Sequence, residues 1–256
     1  MTAHPAILAI ETSTEHCSVA LALSGGILLR QLNAGPRSSS EVLPMARSLL
    51  DEAEMTLGDC AAIAFGEGPG AFTGLRIACG MAQGLAYGAG LSVIAVDSLQ
   101  ACALACVEET ALRERPASIL VAVDARMDEA YWANYLPGKS GQSEGEWLRQ
   151  GPACVGPPES VALAPEQARD GYAVAGNAAA VYGGRLAAAS RAAGATAVYP
   201  TAMPRADRVA AIALRHYAQG RLLKPEEAAP VYVRDKVAYT SAERALRAAG
   251  KTAERA

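Results

Sequence analysis

The residues best placed to do chemistry in this chain stand in one run, Gly66-Glu67-Gly68-Pro69-Gly70, with Arg76 following six residues on. Glycines permit positive φ and close backbone approach, so such a turn leaves N–H groups at the start of a following helix free to meet an anion, with the arginine nearby. The run is not a Walker A loop, because no Gly-Lys-Ser/Thr follows, and it lacks the GxGxxG dinucleotide fingerprint. Glu67 also sets a negative charge beside the amides an anion would use. Metal and nucleophile chemistry is poorly supplied. The three histidines, His4, His16 and His216, form no HxxxH or HExxH pair. The six cysteines, at 17, 60, 79, 102, 106 and 154, contain no CxxC and mostly sit in apolar contexts, so reduced core thiols are expected. No serine or cysteine has an evident histidine and acid partner.

These residues need elements to hold them. The apolar run AAIAF ahead of Gly66 reads as a buried strand, and the stretch from Gly74 to Tyr87 reads as a helix with Thr73 as its N-cap. Gly80, Gly84 and Gly88 recur every four residues and share one face of that helix, where each costs about 1 kcal/mol relative to alanine unless something compensates. Close approach of another backbone would compensate, either as an internal helix crossing or as a protein–protein interface, and the spacing fits both equally.

The rest of the chain reads as two tandem lobes. Ile7 to Ile10 forms a strand, Glu11 to His16 a polar turn, Cys17 to Leu23 an answering strand, and Ile27 to Leu32 continues the meander. The pattern returns as Ile119 to Val123, a turn from Asp124 to Asp128, and Ala130 to Tyr135. Glu11 and Asp124 lie 113 residues apart, and Gly66 and Gly176, each closing a short apolar strand, lie 110 apart. Helices are expected over Glu41 to Glu54, capped by Ser39 or Ser40 with Pro44 in its first turn or kinking it, and over Ser98 to Glu109, capped by Asp97 or Ser98. The expected units are a first lobe over 1–109, a linker at Arg113 to Pro116, a second lobe over 118–200, a helix over 205–220 and a basic tail over 235–256. In the second lobe Trp132 and Trp147 flank a Gly/Ser-rich loop, Pro137 to Gly145, and are expected to pack beneath it.

With 256 residues and 51% hydrophobic composition the chain can bury one large or two modest cores. No apolar run is long enough to cross a membrane and the start lacks a basic leader, so the cytoplasm is the expected location. A net charge of −3 argues against a free-standing RNA binder. The tail, with Lys236, Arg244, Arg247, Lys251 and Arg255, is the local exception; it reads as a solvated helix before it reads as an RNA contact.

The segment GEGPGAFTGLRIACG resembles the signature of the TsaB (YeaZ) family, and ILAIETSTEHCSVAL, VAVDARMDEAYWANY and PVYVR at Pro230 to Arg234 add three further matches in order. The resemblance spans roughly residues 6 to 234 and implies an actin-like, ribonuclease H-like fold of two lobes. It implies a non-catalytic subunit that binds a catalytic paralogue, TsaD, and works with the ATPase TsaE to transfer a threonylcarbamoyl group to the adenosine beside the anticodon of tRNAs reading ANN codons. Thr73, Arg76, Gly80, Gly84 and Gly88 would then form the partner interface. A homodimer through the same face is expected when the partner is absent, and tRNA is met only through the complex. In this superfamily the first hairpin surrounds nucleotide phosphates and magnesium, which assigns Glu11, Thr12 and Ser13 to a vestigial phosphate turn. Relatives usually carry Asp where this chain has Glu11, often Arg where it has Glu67, and Ser where it has Ala71; many keep a histidine where it has Ser38-Ser39-Ser40. Glutamate reaches one methylene further than aspartate, which disturbs octahedral magnesium. No tightly bound cofactor and no metal are expected of the chain alone, leaving the interface of a complex as the place for ATP or ADP with magnesium. A small-molecule kinase or ATPase of the same fold is the alternative reading, and the histidine count disfavours a metallopeptidase.

Overall fold

The structure, a computed structural model, describes residues 5–33, 35–110, 116–138, 146–162, 172–186 and 195–234. The expected linker before Pro116, most of the Pro137 to Gly145 loop and the basic tail lie outside them.

Two five-stranded mixed sheets carry the same strand order. In the first, β1 (Ile7–Glu11), β2 (His16–Leu23) and β3 (Gly26–Asn33) form an antiparallel meander, and β4 (Ala62–Gly68) and β5 (Ser92–Asp97) add in parallel beside β1, giving the order β3-β2-β1-β4-β5. In the second, β6 (Ser118–Arg126), β7 (Glu129–Pro137) and β8 (Trp147–Gly156) repeat the meander, with β9 (Tyr172–Ala175) and β10 (Ala195–Tyr199) parallel beside β6. The fold is therefore α/β with two actin-like, ribonuclease H-like lobes. The topological repeat explains why Glu11 and Asp124 both fall where the first strand of a lobe enters its hairpin turn.

Helices cover the sheets in layers. The helices α1 (Ser38–Glu52) and α2 (Phe72–Ala89) lie on one face of the first sheet, where Val42, Leu49, Ala78 and Ala82 meet Leu8, Ile10, Val19 and Phe65. Alternation along the strands sends Ile7, Ala9, Ala20 and Ile94 to the other face, where they meet Val209, Ala210 and Ala213 of α5 (Ala206–Ala218). The helix α3 (Ser98–Thr110) belongs to both lobes: Ala101 and Leu104 pack with that face, while Leu99, Cys102 and Cys106 pack with Ile119, Val121 and Trp147 of the second sheet. The far face of the second sheet is closed by the short α4 (Ala178–Tyr182).

Several local expectations change. The N-cap of α2 is Ala71, so Thr73 sits inside the helix and caps nothing. Arg37 precedes α1, and Ser38 and Ser40 turn their hydroxyls backward to the carbonyls of Gly35 and Arg37. Pro44 falls in the second turn of α1, not the first. Asp97 does cap α3, accepting from the N–H groups of Leu99 and Gln100. Trp132 and Trp147 lie in clusters on opposite faces of the second sheet, and most of the loop they were expected to support lies outside the described residues.

Candidate functional site

A cavity of about 380 Å³ opens between the lobes, lined by Thr12, Ser13, Thr14 and Glu15 from the first hairpin, Thr73 and Gly74 from α2, and Asp124 and Arg126 from the second hairpin. Thus Thr12, Ser13 and Thr73 meet in one place. Glu11 stands behind them, buried, and its two oxygens are already engaged: one accepts from the Ser13 amide at 2.5 Å, the other from the Ser98 hydroxyl at 2.8 Å. Burial pushes its pKa above the ordinary carboxylate value of 4.5, against the pull of the Ser13 and Ser98 hydrogen bonds.

Glycines make this packing possible. A Cβ on Gly66 would overlap the Glu11 carboxylate, and one on Gly74 would overlap the Thr12 carbonyl oxygen. On Gly70 it would lie 2.5 Å from Ser13. The Ala71 amide donates to the Ser13 carbonyl at 2.7 Å and the Thr12 hydroxyl to the Gly74 carbonyl at 2.7 Å. The glycine turn therefore holds the first hairpin.

Across the cavity, Asp124 accepts from the Tyr182 hydroxyl at 2.6 Å and from the Arg126 amide at 2.8 Å, and the Arg126 guanidinium pairs with both Asp124 and Glu15. Asn177 donates to Glu15 and accepts from the Asp124 amide. These residues do not fit a magnesium nucleotide as they stand. The acid of the first hairpin is satisfied internally, and Arg126, the cationic side chain of the lining, is neutralised by two carboxylates.

The outer face of α2 contrasts with the cavity. Gly80, Gly84 and Gly88 are exposed, and a Cβ on any of them would meet nothing within 4 Å among the described residues. Among the described residues no helix crosses this face. Tyr87 projects between Gly84 and Gly88, 80% exposed, and Leu43 of α1 is exposed as well. Arg76 begins the same row and makes a hydrogen bond through Nε to the Tyr232 hydroxyl at 3.0 Å.

Tyr232 belongs to a segment whose role the sequence pattern did not disclose. Past α5 the chain returns along α2, with the Ala228 carbonyl accepting from Gln83, the Val231 amide donating to the Glu67 carbonyl, and Tyr232 stacking on Phe72 at 5.2 Å. Arg234 then reaches the second lobe, pairing with Glu129 at 2.5 Å and lying over the Tyr131 ring. The PVYVR motif was the available signal; its function as a strap depends on contacts about 150 residues apart in sequence, such as Arg76 with Tyr232.

Among the described residues no cluster of histidine, cysteine and carboxylate side chains is arranged to hold a metal, and no helix is long and apolar enough to cross a membrane.

Comparison with known proteins adds sequence-wide likeness. The family model described as TsaD, tRNA N6-adenosine threonylcarbamoyltransferase, matches residues 23–251. The chain is 35% identical to the tRNA threonylcarbamoyladenosine biosynthesis protein TsaB of Escherichia coli, over 91% of this chain and 96% of that one. It is 38% identical to the TsaB of Haemophilus influenzae over 56% of this chain and 59% of that one. Among solved structures, YeaZ from Pseudomonas aeruginosa superposes with a TM-score of 0.75 at 35% identity, covering 89% of this chain and 99% of that one.

Proposed function

The chain belongs to the TsaB (YeaZ) family, and from that premise we propose that it is a non-catalytic scaffold subunit of the apparatus that makes threonylcarbamoyladenosine in tRNA. In this reading it binds a TsaD-like catalytic paralogue through the outer face of α2, beside α1, and works with a TsaE-like ATPase in the cytoplasm. It meets tRNA through the complex and forms a homodimer on the same face when alone. The observation that carries the reading is the row Gly80, Gly84 and Gly88, laid open to solvent with Tyr87 projecting from it. Three helical glycines with no neighbour among the described residues cost the isolated chain stability, and a second helix pressed against them recovers it through backbone-close packing. The satisfied Glu11 and the neutralised Arg126 support the absence of catalysis in this chain.

Size exclusion with light scattering tests this, using the chain alone and mixed with the TsaD-like paralogue of the same organism. A one-to-one complex is expected, and Gly84→Leu is expected to abolish it while the variant still melts cooperatively. A complex that survives Gly84→Leu would remove α2 from the interface. If no complex forms with or without ATP, and magnesium-dependent nucleotide binding lost in Glu11→Ala is found, the kinase-like reading replaces the scaffold.

A further inference from the structure

Resting on the scaffold reading, we infer that Arg76 is a preorganised receptor for a carboxylate of the docked protein partner, and so a determinant of which partner the α2 face accepts. Arg76 extends the four-residue row of Gly80, Gly84 and Gly88 by one step toward the helix start, so a helix lying along the glycines ends at its guanidinium. That guanidinium is held in place on this chain. Its central carbon lies 3.9 Å from the centroid of Phe72 and 6.0 Å from that of Tyr232, and Nε donates to the Tyr232 hydroxyl. Tyr232 is itself fixed by its stacking on Phe72, by the neighbouring Val231 amide bonded to Glu67, and by Arg234 anchored on Glu129.

The clamp uses the ring face and Nε and leaves the two terminal nitrogens without an acceptor among the described residues. No carboxylate of those residues is paired with Arg76. The contrast is with Arg126, Arg149, Arg208 and Arg234, each tied to an acid of its own chain. A flat guanidinium held by these contacts, whose two terminal nitrogens find no acceptor among the described residues, matches a carboxylate in a two-point fork, and being held in advance reduces the ordering cost of binding. The strap that delivers Tyr232 thus has a task on the partner face as well as between the lobes.

The test is calorimetric titration of the chain into its TsaD-like paralogue at low and high salt, for the wild type, Arg76→Gln, Arg76→Lys and Tyr232→Phe, with Gly84→Leu as control and thermal melts on each. Arg76→Gln is expected to weaken binding by at least about tenfold and to flatten the salt dependence, as loss of an attractive charge pair across the interface does. Arg76→Lys keeps the charge without the fork and falls between. Tyr232→Phe weakens binding a few-fold by loosening the clamp. If Arg76→Gln binds like wild type with the same salt slope while Gly84→Leu does not bind, the carboxylate inference is overturned and the scaffold reading stands. Wild-type binding by Gly84→Leu overturns both. An Arg76→Gln chain that assembles normally but yields a complex with weakened tRNA binding assigns the guanidinium to phosphate and overturns the carboxylate.

Discussion

Gly66, Gly70 and Gly74 occupy the same run as Gly80, Gly84 and Gly88, yet a methyl group would meet opposite surroundings in the two sets. In the first it collides with Glu11, Thr12 or Ser13; in the second it meets nothing among the described residues. The first set is required by what the chain has already packed, and the second answers to no packing among the described residues. A glycine's meaning therefore depends on the direction its missing Cβ would point, which residue spacing alone does not report.

The contrast is open to breaking by substitution, starting with the largest effect. Gly74→Ala drives a methyl into the Thr12 carbonyl, a backbone atom that cannot swing aside, and is expected to cost about 3–5 kcal/mol in urea denaturation. A loss below about 1 kcal/mol would show that the hairpin yields and that the two sets do not differ in kind. Gly84→Ala is expected to have the opposite sign. With no clash and a helical backbone, it stabilises the isolated chain by about 0.5–1 kcal/mol in the same measurement. Destabilisation there would mean that α2 is already covered in the isolated chain.

The smallest expected effect is one of slope and sharpens the first set. Burial raises the Glu11 pKa above 4.5, so the folded state keeps its proton to higher pH than the unfolded chain does. Its contribution to stability is full below that ordinary value and is lost as pH rises through the raised one. The melting temperature of the wild type, measured relative to Glu11→Gln, is therefore expected to fall as pH increases above 4.5 and then level off. A constant difference from acid to mildly alkaline pH would show that Glu11 is not held by desolvation in the pocket that Gly66 opens.

The sequence carried the strands and the lobe repeat because hairpins and apolar runs are local patterns, and the shared spacing of Glu11 with Asp124 and of Gly66 with Gly176 survives in the matching strand orders. Caps were read less well. Serine and threonine hydroxyls bond backward to carbonyls as readily as forward to amides, and Ser38 and Ser40 do so, while Thr73 lies two residues too far in to cap. Strand parity places Trp132 and Trp147 on opposite faces, which their shared position beside one loop does not report. Glu11, Thr12 and Ser13 were legible as a turn of phosphate-binding type, but nothing local shows that Ser98 and Gly74, 87 and 62 residues away, consume its polar groups. The clamp on Arg76 has the same origin, since it joins residues 156 positions apart.

The helix α3 bears on how far the two lobes can be separated. A doubled lobe ordinarily suggests two pieces that once stood alone, each with a closed core. Here Ala101 and Leu104 complete one core while Leu99, Cys102 and Cys106 complete the other, so a single helix serves as the wall between two rooms. Cutting the chain on either side of it would leave one half without part of its core, so neither half keeps a closed interior by itself.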